Sequence, residues 1–172
     1  MIKIYLKYLL SFILLILTQI FVLNKINMFG FITPMIYIVF IFSLPFQMPR
    51  WIVIILGFLM GLCIDLFTGI IGIHALATLT VAFIRVFIIN LISLRIDREE
   101  HIRPIFADMK FKWYFQYAFL LTLIHHLVYF FADIFNFHDF WQTIIVVLSN
   151  TAVSVICIFL IQIFFYRPTK RY

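Results

Sequence analysis

Charge is scarce in this sequence. Thirteen Lys and Arg and seven Asp and Glu leave 12% of the 172 residues formally charged, against 66% hydrophobic. A soluble domain needs more polar surface than that, so the bilayer has to serve as solvent. Cysteine is nearly missing as well. Cys63 and Cys157 stand in apolar runs without a C-x-x-C or Cys/His spacing, which speaks against a disulfide framework and a zinc site; both are expected to be reduced, buried and inert. Motifs that carry chemistry are also lacking: there is no H-E-x-x-H, P-loop or G-x-S-x-G pattern. The N-terminal run has no A-x-A-like cleavage site and exceeds the roughly 7–15 apolar residues of a secretory signal, so it is expected to remain as a first helix. No polar stretch is long enough to build a second core, and no repeat or low-complexity tract is visible. The expectation is one integral membrane domain over residues 1–172.

What the chain does have is six apolar runs, over residues 5–23, 31–46, 51–67, 73–94, 113–135 and 140–166. Most reach the ~20 residues that a helix needs to cross ~30 Å of hydrocarbon. The expected fold is therefore all-α and polytopic, with six transmembrane helices. Runs two and three are shorter and are split by Pro45, Gln47, Pro49 and Arg50. They read either as a re-entrant pair or as two spanning helices joined by a tight turn, and the cations favour the second. Lys3, Lys7, Arg50, Arg95, Arg98, Arg103, Lys110, Lys112, Arg167, Lys170 and Arg171 all fall in alternate gaps; only Lys25 and Arg85 do not. That alternation stays in phase only if every run crosses, and positive loops resist translocation, so both termini are expected in the cytoplasm of a bacterial plasma membrane. The formal charge of +6 then reports topology and attraction to anionic lipid headgroups, not nucleic-acid binding. Trp51, Trp113 and Trp141 read as interfacial anchors. The cytoplasmic loop 95–112 mixes cations with Asp97, Glu99, Glu100 and Asp108 around Pro104. It reads as a solvated connector, or as a docking surface for a cytoplasmic partner.

The strongest local pattern joins runs three and four: Gly57-Phe-Leu-Met-Gly61-Leu-Cys-Ile-Asp65-Leu-Phe-Thr-Gly69-Ile-Ile-Gly72-Ile-His74-Ala75. Residues 57, 61 and 65 recur every four, so two glycines and a carboxylate share one helix face, where a neighbouring backbone can approach closely. With this motif the chain resembles the family of the rod shape-determining protein MreD. The likeness rests on the glycine-spaced helix, on Asp65-Leu66-Phe67-Thr68-Gly69 and on Gly72-Ile73-His74-Ala75, and extends by length, topology and charge layout over the chain. The resemblance implies a non-catalytic membrane subunit of the cell-elongation machinery, without a cofactor. Its implied partner is an MreC-like bitopic protein, in company with MreB-like filaments, RodA-like proteins and a transpeptidase of lateral peptidoglycan synthesis. The MreD family is also similar in architecture to the substrate-binding subunits of energy-coupling-factor vitamin transporters, and a solute-binding subunit is the alternative.

Asp65 admits three readings. An ionised carboxylate in hydrocarbon must reach the interface, find donors or be protonated. It can cap the 69–73 turn by accepting backbone N–H bonds, frame with His74 a contact site for a partner segment, or take part in proton transfer. Gly57, Gly61, Asp65, Gly69, Gly72 and His74 accordingly form a candidate partner-binding or packing face. Arg85, His125, His126 and Asn150 lie deeper and form a candidate intramembrane polar cluster, either a structural knot in which Asn150, a His or backbone carbonyls accept from Arg85, or the lining of a cavity for a ligand or lipid headgroup. The adjacent His125 and His126 project about 100° apart on a helix, which does not suit one metal. Asp65 and Asp133 are the one carboxylate pair an intramembrane protease could use, and neither has a flanking motif for it.

Overall fold

The structure is a computed structural model that describes residues 2–26, 28, 30–69, 72–92, 103–134 and 140–166. It is all-helical: α1 (Ile2–Phe21), a short α2 (Val39–Phe42), α3 (Arg50–Thr68), α4 (Ile73–Ile92), α5 (Phe111–Ile134) and α6 (Phe140–Phe165). A single 3-10 turn, Leu23–Lys25, follows α1. Five of the helices are long and apolar enough to cross a membrane, as a multi-pass membrane protein requires. Helices α3 to α6 pack each on the next, and α1 lies against α3. Their outer faces carry large apolar side chains such as Leu66, Phe87, Trp141 and Phe165, which lipid would cover.

Run two departs from the expectation of a continuous helix. Of residues 31–46 only the four of α2 are α-helical, and 33–36 belong to no regular element. Two prolines supply the reason: Pro34 pushes Thr33 out of helical conformation and withholds an N–H, and Pro45 stops the helix at the other end. The segment is nonetheless the centre of the molecule, with Tyr37, Ile38, Val39, Ile41, Phe42 and Leu44 fully buried. It runs alongside α6, from the level of Asn150, which binds Thr33, to that of Gln162, which binds Ser43. Irregular backbone at such a depth is tolerated only inside protein and only where its N–H and C=O groups find partners.

Residues 103–110 also differ from a solvated connector. Pro104 and Ile105 are buried, the Phe106 ring stacks edge-on against Tyr114 and Phe159, and its N–H donates to Gln162 Oε1 at 3.2 Å. Arg103 and Asp108 pair at 3.7 Å. The charged remainder of that loop, Arg95, Asp97, Arg98, Glu99 and Glu100, lies outside the described residues, as do Asp139, Arg167, Lys170 and Arg171 and the side chain of Lys3.

Candidate functional site

The α3–α4 hairpin is built on glycine. A Cβ at Gly57 would stand 2.8 Å from Ala82 Cβ and 3.0 Å from the Thr78 carbonyl oxygen, and one at Gly61 would overlap the His74 carbonyl oxygen, Ala75 Cα and Thr78 Oγ1. The two helices therefore touch backbone to backbone, as small residues at this spacing allow. This face is occupied by α4 of the same chain, so Gly57 and Gly61 serve internal packing and are not open to a partner helix.

Gly69 ends α3 in the left-handed region, φ 74°, and its N–H returns to the Asp65 carbonyl; Gly72 follows at φ 89°. Side chains with a Cβ rarely adopt that backbone, which is why glycine punctuates the turn. The reversal brings the Asp65 carboxylate over the first turn of α4. Its Oδ2 accepts from the N–H of Gly72 at 3.1 Å and of Ala75 at 2.9 Å, and its Oδ1 accepts from the His74 N–H at 3.0 Å and His74 Nδ1 at 2.8 Å. Amides at a helix start are the donors that lack internal partners, and a carboxylate there also complements the helix dipole. Asp65 is 2% exposed, so it is stabilised by these donors and not by water at the interface.

The His74 ring continues the network sideways. It lies 4.7 Å from the Tyr129 ring and 6.1 Å from that of Tyr37, whose hydroxyl meets His125 Nε2 at 2.8 Å. A cavity of about 270 Å³ opens beside His74, lined by Thr33, Thr68, Tyr129 and Phe130 among others.

The deeper polar residues divide into two groups that do not meet one another. Asn150 holds the near end of the central segment with one amide: Nδ2 donates to the Phe31 carbonyl and Oδ1 accepts from the Thr33 N–H, both at 2.9 Å. Gln19 does the same one step on, donating to the Pro34 carbonyl at 3.0 Å and accepting from the Ile36 N–H at 2.9 Å. Ser154 Oγ accepts from the Met35 N–H between them. At the far end Arg85 donates through Nη2 to the Leu44 carbonyl and through Nε to the Tyr117 hydroxyl, which in turn donates to the Phe42 carbonyl. Arg85 thus meets a backbone carbonyl, one of the acceptors expected of it, and a tyrosine in place of Asn150 or a histidine.

His125 and His126 point to different partners: His126 Nδ1 donates to the Thr122 carbonyl at 2.8 Å, with Ser154 Oγ 3.4 Å from its Nε2. Among the described residues His125 Nδ1 has no partner, and no group of three or more His, Cys, Asp or Glu is placed to hold a metal. Asp133 is exposed while Asp65 is buried, although both lie near enough to act on His74 and Tyr129. Sequence reasoning missed Gln19, Tyr117, Ser154 and Gln162. The signal for them was the proline pair in run two, which leaves backbone groups that polar side chains on other helices must satisfy. No protein-family model, curated protein or solved structure matches this chain.

Proposed function

We propose that this chain is a non-catalytic subunit of the bacterial cell-elongation machinery, resembling MreD, that crosses the plasma membrane six times with both termini in the cytoplasm and binds an MreC-like bitopic protein. The observation that carries the reading is the α3–α4 hairpin, where the motif of the resemblance is spent on shape: two glycines on close approach and Asp65 on the start of α4. Asn150, Gln19 and Arg85 likewise bind backbone groups of the central segment. A rigid multi-pass body of this kind suits recognition within the bilayer, with chemistry left to RodA-like and transpeptidase partners and positioning shared with MreB-like filaments. The test is affinity purification of the tagged full chain from the bacterium that encodes it. An MreC-like protein is expected in stoichiometric amount, and depletion of the chain is expected to round the cells. Absence of such a protein, with shape unchanged on depletion, overturns the proposal.

The cavity beside His74 favours one second reading, a solute-binding subunit of an energy-coupling-factor-type transporter. Its volume of about 270 Å³ is just below the ~300–1,000 Å³ usual for small-molecule sites. Mass spectrometry of the denatured, purified protein separates the two readings: a stoichiometric vitamin-like compound supports transport, and its absence together with a co-purified MreC-like protein supports the scaffold.

A further inference from the structure

A second, larger concavity lies between α1 and α3. It encloses about 730 Å³ and is walled by Tyr8, Leu9 and Phe12 on one side and Ile52, Leu56 and Leu59 on the other. Phe40 and Leu44 of the central segment form its floor, and Pro45, Gln47, Met48 and Pro49 close one end. We infer that this groove is a binding site for one anionic glycerophospholipid, with an acyl chain in the groove and the phosphate at Lys7 and Arg50.

Length is the first argument. Pro49 to Leu59 along α3 is about 15 Å at 1.5 Å per residue, half of the ~30 Å hydrocarbon thickness. The groove is therefore one leaflet deep, which fits a lipid chain, whereas a partner's transmembrane helix would need a seam of twice that length.

Charge is the second. Arg50 follows the lining residue Pro49, and Lys7 lies one residue from Tyr8, about 100° round α1, within reach of the same end through its flexible stem; both are exposed, and among the described residues neither pairs with an acid. Arg50 also stands in the first turn of α3, where the Pro49 N-cap makes no side-chain bond and no acidic residue is present. A cation there opposes the helix dipole, and an arriving phosphate would answer both the guanidinium and the uncapped amides. Among the described residues the closed end of the groove thus carries positive charge on Lys7 and Arg50 that no acid answers, while Arg103, hydrogen-bonded to Tyr8, is paired with Asp108; the apolar part extends away from that end. The inference rests on the membrane reading of the chain and not on its role in elongation.

Native mass spectrometry of the purified full chain, titrated with phosphatidylglycerol or with phosphatidylcholine of identical acyl chains, tests it. One phosphatidylglycerol per chain is expected to survive activation that strips phosphatidylcholine. The Lys7→Gln/Arg50→Gln variant is expected to bind phosphatidylglycerol about fivefold more weakly for each cation removed, the effect of roughly 1 kcal/mol per near-surface cation, with phosphatidylcholine, whose choline offsets its phosphate, weakened less. Leu59→Trp, at an exposed groove position, is expected to displace the chain and lower retention of both lipids; Leu9→Trp on the opposite wall repeats the test from α1. Equal retention of the two lipids by the unaltered protein, or retention unchanged in the charge variant, means annular lipid only and overturns the site. Loss in the charge variant with no loss in either tryptophan variant places the phosphate on the surface and overturns the groove.

Discussion

At Asp65 one carboxylate answers three amide N–H groups and an imidazole in a place where water does not reach. Removing the acceptor leaves buried donors orphaned, each costing roughly 1–3 kcal/mol. Asp65→Ala is therefore expected to destabilise the protein most. Asp65→Asn keeps one acceptor oxygen and is expected to fall between, while His74→Ala removes one hydrogen bond and the ring contacts with Tyr129 and Tyr37 but leaves the three amides bonded, and is expected to cost least. Thermal unfolding in detergent micelles, followed by size-exclusion of the surviving folded protein, ranks the three. Equal midpoints for Asp65→Ala and His74→Ala would show that the amide bonds carry no stability. The same logic at the other end of the central segment gives Tyr117→Phe, which deprives both Arg85 Nε and the Phe42 carbonyl of a partner at constant ring volume. A loss of about 2 kcal/mol is expected, and an unchanged unfolding midpoint would mean that relaxation or water replaces the hydroxyl.

Among the elements, the α3–α4 hairpin has the least room. The two glycines are not equivalent: a methyl at Gly61 meets backbone atoms of His74 and Ala75, whereas at Gly57 its nearest neighbour is the Ala82 methyl. Neither backbone nor an alanine Cβ can rotate aside, and the contacts at Gly61 are the closer, so Gly61→Ala is expected to exceed the ~1–3 kcal/mol usual for overpacking and Gly57→Ala to stay within it. Comparing the two variants by thermal unfolding decides the matter, and a larger loss at Gly57 would refute the geometry. The spacing of Gly57, Gly61 and Asp65 made this hairpin legible in the sequence, because a helical period is local. The partner of the glycine face was not legible, since a small-residue stripe packs on a neighbour in the chain as readily as on another protein. Run two was misread for a related reason. Sixteen residues of apolar character, 31–46, satisfy hydropathy whatever their backbone does, and only Pro34 and Pro45 hinted that the helix would fail.

For the whole molecule, the question raised by run two is whether a segment with a four-residue helix still carries the chain across. Thr33 sits level with Asn150 and Ser43 with Gln162, so the segment advances about 18 Å along α6 at 1.5 Å per residue. That is most of the ~30 Å core, covered by a stretch whose backbone is shielded by α3 to α6 and bonded to Gln19, Asn150, Ser154, Tyr117 and Arg85. Alternation of the cations could be read from the sequence because it depends on loops alone. The means of crossing could not, because it depends on side chains from four other helices meeting one strand of irregular backbone. If the segment does cross, Lys25 and Gln47 face opposite compartments. In a background with Cys63 and Cys157 replaced by Ser, Lys25→Cys is expected to react with a membrane-impermeant maleimide added to intact spheroplasts. Gln47→Cys is expected to react only after permeabilisation. Labelling of both from the outside would make residues 31–49 a re-entrant loop, leave five crossings and put the termini on opposite sides.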